Sequence, residues 1–92
     1  GAVEAAQSTV KMIGNNLFEM FEFPLLFKNS NIEIKNNNII NDYTKPQNAI
    51  RIQDGCTGTI TGNNFRSSSS RFLEVMGKSS NVKESDNNIY NL

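Results

Sequence analysis

Four stretches of the chain carry one alternation of apolar and polar positions and align without a gap: VKMIGNNL from Val10, IEIKNNNI from Ile32, GTITGNNF from Gly58 and VKESDNNI from Val82. Their starts lie 22, 26 and 24 residues apart, and recurrence at such a period is the mark of a repeat architecture. Each copy reads apolar-x-apolar-x-turn-Asn-Asn-apolar, with Gly58 and Glu84 standing where an apolar residue is expected. Val10 and Met12, Ile32 and Ile34, and Ile60 in the third copy have the period-two spacing of a strand that buries one face. The turn position holds Gly14, Asn36, Gly62 and Asp86, residue types that enter the left-handed backbone region at low cost. A sharp bend is therefore predicted at each.

After the bend come Asn15, Asn37, Asn63 and Asn87, then a second, variable position, then the apolar anchors Leu17, Ile39, Phe65 and Ile89. In a chain that coils once per copy, equivalent residues stack at strand spacing, about 4.8 Å. The first Asn of each pair then forms an inward ladder, each amide bonded to the copies above and below. A buried amide without partners is costly, so the repeated Asn makes sense only when stacked. Between the copies lie looser strand signals at Leu25 to Phe27, Ala49 to Gln53 and Phe72 to Met76. The joins KNSN, DGCTG and GKSSN that follow them have turn composition, and the opposite joins, NDYTKPQN and RSSSSR, are longer and polar. One repeat is thus strand, turn, strand, bend, apolar anchor and variable loop. The leading AVEAAQST fits a short helix or a lead-in strand, which gives residues 1–9 as a lead-in or end cap and residues 10–92 as the repeats.

At these residues, and most fully in AIRIQDGCTGTITGNNF, the sequence resembles the right-handed parallel β-helix of the pectin-lyase-like superfamily. The resemblance implies an all-β solenoid of three to four coils. The superfamily includes polysaccharide lyases, glycosidases and phage tailspikes as well as non-catalytic segments, and fold alone does not choose among them. Leucine-rich repeats share the period and the I-x-I-x-x-N-x-I pattern. They need a Leu three residues before the first apolar position, where this chain has Gln7, Asn29, Gly55 and Ser79. AIRIQ and FLEVM also alternate as strands rather than helices.

Composition narrows the function. Nine basic and nine acidic residues cancel, against the basic excess of a nucleic-acid binder. With no His and the single Cys56, neither a Cys/His zinc site nor a His-based triad assembles within the chain, and no cofactor is expected. The longest apolar run, near Phe23 to Phe27, is too short for a bilayer and contains Pro24, so no membrane partner is expected. Chain length allows one small domain or part of a larger one. A short solenoid leaves strand edges and apolar stacks open at its ends, so either the remainder of a longer β-helix, of which this is the C-terminal part, or a homo-oligomer is expected to cover them.

Chemistry-bearing residues are few. Aligning Ile52 with Val75 puts Arg51 and Glu74 side by side on outward positions, the candidate catalytic pair. A guanidinium beside a carboxylate binds an acidic sugar or orients an acid, and otherwise is an exposed ion pair. Lys11 and Glu33 invite the same comparison. Tyr43, in the long polar loop, and Arg51 are the candidate substrate-binding residues, and Tyr90 is a further ring suited to stacking on sugar. Asp42 and Asp54 are too scattered for calcium, and Asp54-Gly55 reads as a turn. Phe18, Met20, Phe21, Phe23 and Phe27 read as core or end cap. Ser67 to Ser70 have no His or Lys at a diagnostic spacing, and Cys56 reads as a packing residue. The expected function is a non-catalytic β-helix segment of a secreted, cell-surface or virion-borne polysaccharide-active protein. The alternatives are a lyase or glycoside hydrolase, and an oligomerisation module of a tailspike.

Overall fold

A computed structural model describes residues 3–18, 25–41, 49–67, 73–77 and 80–91. Among the described residues the chain coils four times, and the coils contribute twelve strands to three parallel sheets. The first sheet stacks β1 (Val3–Ala6), β4 (Leu25–Lys28), β7 (Ile50–Gln53) and β10 (Leu73–Met76). The second stacks β2 (Thr9–Ile13), β5 (Asn31–Lys35), β8 (Thr57–Thr61) and β11 (Asn81–Ser85). The third stacks β3 (Asn16–Phe18), β6 (Asn38–Asn41), β9 (Asn64–Ser67) and β12 (Asn88–Asn91). Val3–Ala6, open to helix or strand on sequence, pairs in parallel with Leu25–Lys28 and is the first strand of the solenoid.

The register is that of the gap-free alignment. Val10 lies on Ile32, Ile32 on Gly58 and Gly58 on Val82, while Met12, Ile34, Ile60 and Glu84 form the neighbouring inward column. Parallel strands buried by their own coil hold their apolar residues in columns, and each large side chain removed from water contributes roughly 1.5–3 kcal/mol. The core is densest in the middle coils: Leu25, Phe27, Ile32, Ile34, Ile39, Ile50, Ile52, Ile60 and Phe65 are all fully buried. In the last coil the equivalent Val75 and Ile89 are 53% and 42% exposed, because no coil lies beyond them among the described residues.

One expectation needs revision. The anchors Leu17, Ile39, Phe65 and Ile89 are centres of a third strand rather than points after a bend. These strands span three or four residues, too few to show a period of two in the sequence.

Gly58 also has a reason. Its φ is +122°, and a Cβ there would overlap the carbonyl oxygen of Ile32. The backbone of β8 comes too close to β5 for any side chain, so the expected apolar residue is excluded.

Candidate functional site

Two corners of the coil are built from polar columns. At the corner between the second and third sheets, Gly14, Asn36, Gly62 and Asp86 all have φ between +56° and +70°, which turns the chain sharply. The next residue in each coil is the ladder Asn. Asn15 donates its backbone N–H and its Nδ2 to Asn37 Oδ1 at 2.9 and 3.0 Å. Asn37 donates likewise to Asn63 Oδ1, both at 2.9 Å, and Asn63 to Asn87 Oδ1 at 3.0 and 2.9 Å. The spare Nδ2 hydrogens go to strand carbonyls: Asn37 to Met12, Asn63 to Ile34 and Asn87 to Ile60. Asn37 and Asn63 are buried, Asn87 is half-buried and Asn15 is the exposed end rung. This corner is structural, and its polar groups are engaged with one another.

The corner between the first and second sheets has a second column that the sequence reading missed. Gln7, Asn29, Asp54 and Gly77 take positive φ at the ends of the first-sheet strands. Ser8, Ser30, Cys56 and Ser80 follow. Ser30 Oγ accepts from Ser8 N–H at 3.2 Å and donates to the Lys28 carbonyl at 2.8 Å. Ser80 Oγ accepts from Cys56 N–H at 3.0 Å, while the Cys56 thiol donates to the carbonyls of Gln53 and Phe27 at 3.4 and 3.6 Å. Cys56 thus holds a hydroxyl's position in the column. The signal was present: all four residues stand two places before a copy start.

Outside this corner lies an open cleft of about 610 Å³ lined by Ala6, Gln7, Lys28, Asn29, Asp54 and Gly55. Lys28 Nζ stands 3.8 Å from Asp54 Oδ2, both groups partly exposed. A shallower depression of about 360 Å³, lined by Glu4, Ala5, Ala6, Leu26, Lys28 and Gln53, continues from it along the first sheet. The two share Ala6 and Lys28, so amide, ammonium and carboxylate groups follow one another across adjacent coils. Such a row places hydrogen-bond donors and acceptors side by side on the surface.

The candidate pair sits farther along the same sheet. Glu74 is in register with Arg51, and Arg51 Nη2 donates to Glu74 Oε1 and Oε2 at 3.1 and 3.4 Å. Both side chains are about three-quarters covered. The outward column runs Glu4, Leu26, Arg51, Glu74, so Glu4 is three strand spacings from Glu74, roughly 14 Å. That exceeds the separation of the paired carboxyl groups in either class of glycosidase, about 5–9.5 Å. Lys11 and Glu33 meet only at 3.9 Å on the exposed second sheet. Tyr90 is half exposed on the third sheet, away from the cleft. Tyr43, Asp42, Met20, Phe21 and Phe23 lie outside the described residues, as do Ser68 to Ser70. Asp54 occupies the turn expected of it and reaches Lys28. Among the described residues no three acidic or thiol groups converge on one point, and no helix is long and apolar enough to cross a membrane.

No curated protein matches the chain, and no solved structure does. A family model described as the right-handed beta helix region matches residues 1–89. With four coils, three parallel sheets and the Asn ladder in place, the chain belongs to the right-handed β-helix family.

Proposed function

We propose that the chain is a non-catalytic β-helix segment of the pectin-lyase-like type, from a secreted or virion-borne polysaccharide-active protein. It supplies a rigid scaffold whose first-sheet corner contacts glycan. The observation that carries this reading is the cleft at Gln7, Lys28, Asn29 and Asp54, which presents polar groups from successive coils on a backbone held by ladder bonds. Rigidity matters because a pre-ordered surface loses little entropy on binding. The Arg51–Glu74 pair supports a scaffold more than a catalyst, since each group is engaged by the other and Glu4 stands too far away to act with Glu74.

The test is a chemical-shift titration with neutral and uronate-containing oligosaccharides, run beside assays for ultraviolet-absorbing unsaturated products and new reducing ends. Binding without turnover is expected, centred on the cleft. Replacing Lys28 by Ala should weaken it about tenfold, the loss of one charge-assisted hydrogen bond. Product formation would instead make the chain a lyase or hydrolase, and an absence of shifts would remove the glycan. A second reading, an oligomerisation module of a tailspike, draws on the exposed Val75, Met76, Ile89 and Tyr90 of the last coil. A defined trimer by sedimentation equilibrium would favour it.

A further inference from the structure

We propose that Asp54 sets the specificity of the first-sheet cleft: by engaging Lys28 it makes the cleft select neutral glycan over uronate-bearing glycan. The proposal rests on the reading of that cleft as a glycan contact. The corner position that lines it holds Gln7, Asn29, Asp54 and Gly77 in successive coils. Only the third coil puts a charge there.

Asp54 is held in place from both neighbouring coils. On the coil before, Lys28 Nζ lies 3.8 Å from Asp54 Oδ2. On the coil after, Asp54 N–H donates to the Met76 carbonyl at 3.1 Å. Gly77 beside it has a φ of +74°, and a Cβ there would overlap Asp54 Oδ1. Any side chain on Gly77 would displace the carboxylate, whereas glycine leaves it room.

The charges of this face are already matched within the protein. The described residues of the first sheet and its corner carry two cations, Lys28 and Arg51, and three carboxylates, Glu4, Asp54 and Glu74. Arg51 donates to both oxygens of Glu74, and Lys28 faces Asp54. A uronate reaching Lys28 would have to displace Asp54 and then lie beside it, two like charges competing for one ammonium. A neutral sugar meets no such conflict. An ammonium has three donor hydrogens, so Lys28 can bond a hydroxyl or ring oxygen without leaving Asp54. The carboxylate accepts from sugar hydroxyls, and the amides of Gln7 and Asn29 line the same cleft. An exposed ion pair adds little to stability. Specificity is a ratio of affinities, however, and a modest charge effect moves that ratio about tenfold.

The experiment compares a uronate hexasaccharide with its carboxyl-reduced counterpart, which keeps linkage and length and removes the charge. Chemical-shift titration of the whole chain at low salt, where charge is least screened, gives both dissociation constants. Wild type should bind the reduced, neutral sugar about tenfold more tightly than the uronate. Asp54→Asn keeps the shape and is a residue type that tolerates positive φ. It should raise uronate affinity about tenfold and change neutral affinity less than about threefold. Asp86→Asn removes the same charge from the left-handed position of the other corner, φ 56°. It should leave the ratio within about twofold, being outside the cleft. A wild type that binds the uronate as tightly as the neutral sugar would overturn the role of Asp54. So would an unchanged ratio in folded Asp54→Asn, or an equal change in Asp86→Asn, and the glycan reading would stand in all three cases. An absence of cleft shifts with either sugar would overturn both.

Discussion

The Asn corner and the Ser/Cys corner do the same job with different chemistry, and the chain treats them differently. At the Asn corner each coil has one left-handed residue followed at once by the ladder Asn, with no insertion in any copy. At the other corner Ser8 and Ser30 follow Gln7 and Asn29 directly, but Gly55 intervenes before Cys56 and residues 78–79 before Ser80. These insertions, with the longer loop after β6, account for copy spacings of 26 and 24 residues against the basic 22. The difference follows from bonding capacity. An amide accepts two hydrogens from one neighbour and donates to the next coil and to a strand carbonyl, so it fixes position on both sides. A hydroxyl accepts one N–H and returns its proton to its own coil, as Ser30 does to Lys28. One column is a chain of side chains, whereas the other is a series of local caps.

The comparison breaks most sharply under insertion. One glycine placed between Asn36 and Asn37 should remove Asn37 from the ladder and slip β6, turning Ile39 away from the core. The expected loss is about 4 kcal/mol or more, a large share of a small domain's stability. The same glycine between Asn29 and Ser30 copies what Gly55 already does in the third coil, and should cost about 1 kcal/mol, the scale of a modest loop extension. Urea unfolding monitored by circular dichroism measures both. Equal losses would mean that the corners are not different in kind.

Substitution gives a smaller and more local version. Asn63→Leu deprives Asn37 N–H of its acceptor and Ile34 of its donor inside the core. The expected cost is about 3–4 kcal/mol, since several buried polar groups lose partners together. Ser30→Ala leaves only Ser8 N–H without its acceptor, at a partly exposed site, and should cost about 1–2 kcal/mol. A Ser30→Ala loss as large as that of Asn63→Leu would show the hydroxyl column to be a continuous network.

This contrast also explains what the sequence disclosed. The second-sheet strands, the left-handed residues and the Asn ladder were all legible because the four copies align there without gaps. The third-sheet strands were not, since Leu17, Ile39, Phe65 and Ile89 each stand as one inward apolar residue in a very short strand. Ser8, Ser30, Cys56 and Ser80 keep one offset from the copy starts, but Gly55 and residues 78–79 change their spacing from the preceding strand in two coils, and Cys56 puts a thiol where the others have a hydroxyl. The pairing of Arg51 with Glu74 was legible because it needs only strand register. The cleft was not, because Gln7, Asn29 and Asp54 have nothing in common as residue types. What they share is a backbone conformation, which only the coil reveals.

Cys56 offers the finest test of the two corners. Its side chain is fully buried, and its thiol reaches the Gln53 and Phe27 carbonyls at 3.4 and 3.6 Å. A thiol is a weak donor, so these contacts contribute little beyond packing. Cys56→Ser restores the hydroxyl found in the other three coils and brings a stronger donor near the Gln53 carbonyl, where Ser30 and Ser8 already bond the equivalent carbonyls of Lys28 and Ala6. Against that gain stands the loss of sulfur volume beside the core. The two effects should nearly cancel, leaving stability within about 1 kcal/mol of wild type. The urea midpoint reads the balance, and loss of reaction with a thiol reagent after unfolding verifies the replacement. A cost of several kcal/mol would show that this corner is held by packing around sulfur, and that the resemblance between the two polar columns is one of position only.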